Sequence, residues 1–73
     1  MDKQTALALA NNEVTSAVAL ARQSGKASEE EIIKFEKMCQ AVIAKGEALP
    51  QSFFDGLDSD ATKRDIFRAI HAA

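Results

Sequence analysis

The sequence predicts an all-α fold: a small bundle of three main helices, over about 3–23, 29–45 and 59–72, with a short helical turn at 51–55. Three observations carry the prediction. Apolar residues recur at helical spacing in each long stretch, and no stretch alternates as a strand would. The three glycines are isolated and fall where one run gives way to the next. Between the first two runs stands Ala-Ser-Glu-Glu-Glu-Ile, residues 27–32, which spells a helix start. Ser28 caps, and Glu31 reaches back to the Ser28 N–H, making a capping box. Glu29, Glu30 and Glu31 put negative charge at the positive end of the helix dipole. Ala27 and Ile32 occupy the two staple positions.

Each element follows from local chemistry. Asp2 is the expected N-cap of helix one and Gly25 its stop. Leu7, Ala10, Val14, Ala17, Val18 and Ala21 form its apolar face, while Leu9 and Leu20 lie off it. Asn11-Asn12 is a weak point, because Asn competes for backbone hydrogen bonds; a break with a restart at Glu13 is the alternative. In helix two, Ile32, Phe35, Cys39, Val42 and Ile43 make the stripe, with Ile33 and Met38 beside it. Glu30 and Lys34 form an i,i+4 pair, and Gly46 reads as the C-cap glycine after Lys45. Pro50 suits the first turn of a short helix that Gly56 ends. Asp58 is the expected cap of the last helix, whose apolar face is Ile66, Phe67, Ile70 and Ala73. The short connections predict that consecutive helices pack antiparallel or at an angle.

Size and composition bound the function. Seventy-three residues make a single domain, residues 1–73. A chain this short buries only roughly 60% of its unfolded surface. It has one cysteine, so no internal disulfide, and no Cys/His cluster to hold a structural zinc. Such a thin core points to self-association, and the alanine-rich face of helix one is the expected dimer surface. Nine basic against eleven acidic residues give a formal charge of −2, without the basic excess expected of a nucleic-acid-binding domain. No secretory leader is legible, because Asn11, Asn12 and Glu13 end the apolar run of Leu7–Ala10 and no basic region precedes it. No apolar stretch approaches the length of a membrane span. The chain reads as a complete small protein, and the lone cysteine is compatible with the cytoplasm.

The sequence holds no Gly-rich phosphate loop, no Ser-His-Asp order and no paired metal ligands, so neither an enzyme nor a cofactor or metal site is expected. Cys39 and His71, the only thiol and imidazole, raise the thought of an activated nucleophile. Cys39 lies on an apolar stripe, however, where an inert packing role is ordinary. His71 falls in a last turn, where it complements the dipole. Lys63, Arg64 and Arg68, after the short helix and turn, have the spacing of a helix-turn-helix. There the expected N-terminal turn holds Asp58, Ser59, Asp60 and Thr62, and its acids oppose phosphate. Adjacent Phe53 and Phe54, with Leu57, make the best partner-binding candidate, because neighbouring helical residues point about 100° apart and one ring tends to stay at the edge of the core. The expected function is a small protein-binding regulator or inhibitor acting through stoichiometric helical contacts, with a protein partner and a possible homodimer. A helix-turn-helix DNA-binding regulator and a structural subunit of a larger assembly are the alternatives.

Overall fold

The computed structural model describes all residues, Met1–Ala73. It contains four helices: α1 Lys3–Ser24, α2 Glu29–Ala48, α3 Gln51–Asp55 and α4 Lys63–Ala72. α1 and α2 form a helical hairpin, α4 packs against both, and α3 rests on α1. The core gathers Ala6, Ala10, Val14 and Val18 from α1, Ile32, Cys39 and Ile43 from α2, Phe54 from α3, and Ile66 and Ile70 from α4. It contains no polar side chain.

The hairpin is built by its caps. The Asp2 carboxylate accepts from the Thr5 N–H at 3.2 Å. Gly25 ends α1 at φ 65°, a left-handed conformation that glycine adopts at no steric cost. The capping box then starts α2: Ser28 Oγ accepts from the Glu31 N–H at 3.1 Å, and Glu31 Oε1 accepts from the Ser28 N–H at 3.0 Å. These hydrogen bonds from Ser28 hold the Glu31 carboxyl below its ordinary range. Arg22 closes the turn with two contacts to Glu29, at 2.6 and 2.5 Å. Ser28→Ala removes the cap bond, so the domain is expected to lose about 0.5–2 kcal/mol. A melting temperature equal to wild type would show that the box contributes nothing.

The expected continuous α1 is observed, while three other boundaries or faces differ from the sequence expectation, each for a physical reason. α1 runs unbroken through Asn11-Asn12; both side chains are exposed, and Asn12 Oδ1 accepts from Lys63 Nζ at 2.8 Å instead of competing for α1's backbone. α2 continues past Gly46 to Ala48 and stops where Pro50 forces Leu49 into extended backbone, φ −78° and ψ 144°. α4 starts at Lys63 rather than Ser59. A start at Asp58 would put Ala61 at the third helical position, and alanine returns no bond to the cap. Thr62 instead has Asp65 there: Thr62 Oγ1 accepts from the Asp65 N–H at 3.1 Å, and Asp65 Oδ2 accepts from the Thr62 N–H at 3.3 Å. The alanine face of α1, finally, is turned inward only in its first half: Ala6 and Ala10 are fully buried within the chain's own core, while Ala17 and Ala21 stay partly exposed.

Candidate functional site

The late start of α4 creates the most distinctive surface of the protein. α4 has ten residues, against 22 in α1 and 20 in α2. It therefore spans about 15 Å where the hairpin spans about 30 Å. Its position is pinned at both ends. Lys63 Nζ donates to Asn12 Oδ1 and, at 3.0 Å, to Ser16 Oγ. At the other end Lys45 Nζ donates to the His71 carbonyl at 3.1 Å, a cation at a helix C-terminus. α4 thus covers the half of the hairpin away from the Gly25 turn. The half nearer the turn has no third helix.

What remains there is an open apolar groove of 520 Å³, lined by Ala17, Leu20, Ala21, Ala27, Ile32 and Phe35, with Ser24 and Glu31 at its rim. It continues past Phe35 into a 280 Å³ cleft between Val14, Cys39 and Phe67, rimmed by Glu13, Arg64, Arg68 and His71. A third depression, of 240 Å³, adds Met38 and Val42. Phe35 lines all three. Leu20 is 65% exposed, Met38 67% and Phe35 37%. The fourth large exposed apolar side chain, Ile33, lies on the other flank of α2, because residues two apart on a helix diverge by about 200°. Phe35 belongs by periodicity to the core stripe, but α4 does not reach far enough to bury it.

The aromatic pair on α3 divides. Phe54 is fully buried, while Phe53 and Leu57 are partly buried against the core. The two rings meet edge to face, centroids 5.1 Å apart at 88°. In this fold the edge of the pair is offered by Phe53 and Leu57, and Phe54 serves as its anchor. The basic residues of α4 divide as well. Lys63 is spent on α1, whereas Arg64 and Arg68 line the cleft and make no ion pair. The three do not form one exposed stripe. The first turn of α4 now holds Lys63, Arg64 and Asp65 rather than Asp58–Thr62.

Cys39 and His71 border the same cleft. Burial, with the Glu36 carboxylate adding to it, pushes the Cys39 thiol up and keeps it protonated at neutral pH. A thiol in that state is a poor nucleophile. The His71 ring lies 6.4 Å from the Phe67 ring, tilted at 47°. The three glutamates that open α2 do not converge. Glu29 pairs with Arg22, Glu30 with Lys34 at 4.0 Å, and Glu31 with the Ser28 backbone. No three His, Cys, Asp or Glu side chains gather where a metal ion could bind. No helix is long and apolar enough to cross a membrane.

The groove residues Leu20 and Met38 were not among the sequence candidates. Their signal was present: each is a large apolar residue off the main stripe of its helix. No protein-family model matches the chain, and neither a characterised protein nor a solved structure shows significant similarity to it.

Proposed function

We propose that the protein is a small binding module, a regulator or inhibitor without catalytic activity of its own, whose working face is the groove between α1, α2 and α4. The single observation that carries this is the vacant third-helix position beside Leu20 and Phe35. Three of the four large exposed apolar side chains, Leu20, Phe35 and Met38, border that groove and its continuation. Exposed apolar surface gathered in one place marks an interaction site more often than the same residues scattered singly. An amphipathic helix laid in such a groove supplies i, i+4 anchors to it. The unpaired Arg64 and Arg68 at one end favour a contacting chain with acidic residues. The buried free thiol fits a reducing compartment, so the cytoplasm is the proposed location.

The test is affinity purification of the wild-type chain beside Leu20→Asp and Phe53→Ala. A partner recovered in fixed stoichiometry by wild type and Phe53→Ala, and lost by Leu20→Asp, is the expected outcome. Loss through Phe53→Ala alone would move the working face to the α3 edge at Phe53 and Leu57. Binding to DNA that weakens steeply with salt, and that fails in Arg64→Ala and Arg68→Ala, would replace the proposal with the helix-turn-helix alternative.

A further inference from the structure

We propose that a second copy of this chain fills the groove, related to the first by a twofold axis that passes close to Leu20 and Phe35. This rests on the groove being the working face, and it names the chain that occupies it. An isologous contact requires a surface complementary to itself, and the groove has that property. Its end near the Gly25 turn is lined by one charged residue, the acid Glu31. Its other end carries Arg64 and Arg68 against Glu13, a net positive charge. A twofold axis across the groove exchanges these ends. Glu31 of one copy then faces Arg64 and Arg68 of the other, and the same contact occurs a second time by symmetry.

The groups involved are free to make those contacts. Neither arginine has an ion-pair partner within its own chain. Glu31 accepts the Ser28 N–H on Oε1, and its Oε2 has no hydrogen-bond partner within the chain. Its neighbours do not compete, because Glu29 and Glu30 are matched by Arg22 and Lys34. At the centre of the groove Leu20 and Phe35 meet their symmetry mates, with Met38 alongside. Only 11 of the 73 residues are buried in the single chain, and this contact withdraws from water three of the four large apolar side chains that the monomer leaves exposed. An unrelated helix would have to bring both an acidic and a basic end in the right order. The second copy carries them by construction. Dimerisation and capture of a different partner in the groove then exclude one another.

Sedimentation velocity of the full chain, from low to high micromolar, tests this. Wild type is expected to sediment as a dimer, and Leu20→Asp as a monomer that keeps its helical circular dichroism. Arg68→Glu is expected to weaken the dimer about tenfold, from two symmetric contacts of the size of exposed ion pairs. Should Leu20→Asp lose its helical signal, Met38→Asp, at a side chain 67% exposed, takes its place. A wild-type monomer throughout, or a dimer indifferent to these aspartate variants, overturns the proposal. So does a dimer that Arg68→Glu leaves as tight as wild type, since the ends are then not exchanged. A monomer whose Leu20→Asp variant still loses its protein partner overturns the second copy while leaving the groove as the working face.

Discussion

Phe54→Ala is expected to cost about 3–5 kcal/mol of folding free energy, measured by urea denaturation. A domain of 73 residues has about 4–11 kcal/mol in total, so the change removes from about a quarter to all of the stability. The effect is large because Phe54 is both the largest fully buried side chain and the sole buried residue of α3. α3 has only five residues and no side-chain bond at its Pro50 cap. Helices that short do not persist without tertiary support. Phe54 supplies it from below. Gln51 supplies it from above, donating to the Met1 carbonyl at 2.8 Å and accepting from the Lys3 N–H at 2.9 Å. Phe53→Ala should cost only about 1–2 kcal/mol, because that ring is half-buried and loses mainly its edge-to-face contact. Equal losses from the two changes would refute this division of roles.

Gly46→Val is expected to destabilise the domain by about 1–3 kcal/mol through overpacking, although valine favours helix over glycine. A Cβ at Gly46 would stand 2.9 Å from Leu7 Cδ2 and 3.2 Å from both Cδ1 and Cγ2 of Ile70. Here α1 and α4 both press on the backbone of α2. Leu7 is only partly buried and its methyl can swing aside, whereas Ile70 is fully buried and has no free direction. Gly46→Ala therefore separates the two effects. Its single methyl displaces Leu7 and still presses on Ile70 at 3.2 Å, so the helix propensity gained, about 1 kcal/mol, offsets only part of that strain. The alanine variant should melt somewhat below wild type and the valine variant well below both. A valine variant as stable as wild type would mean that α4 moves freely over Gly46, and the close packing described here would be wrong.

If the groove is the working face, stability and binding are drawn from different residues. Phe54, Ile66 and Ile70 hold the fold and have no exposed surface. Leu20 and Met38 are exposed and can be changed with little loss to the monomer. Substitutions at the first group should remove everything together, while those at the second remove association alone. The α3 edge lies between these cases, since Phe53 and Leu57 are partly buried and partly available.

The sequence by itself determined the helical class, the hairpin turn and most of the ends. Asp2, Ser28 with Glu31, and Gly25 act through hydrogen bonds or dihedral preferences within a few residues of themselves, so their meaning is complete in a short window. The Thr62–Asp65 box is equally local, although the cap expected from the sequence was Asp58. Tertiary structure decided what those windows cannot contain. Gly46 has the local marks of a helix end, yet it lies inside α2, where Leu7 and Ile70 occupy the space a side chain would need. Phe35 has the spacing of a core residue, yet it stands at the groove, because burial depends on whether another helix arrives to cover it. Lys63, Arg64 and Arg68 are alike in sequence, but only Lys63 meets an acceptor pair on α1. Periodicity gives the direction in which a side chain points along its own helix. The length and placement of α4 decide what lies in that direction, and with it which apolar residues become core and which become surface.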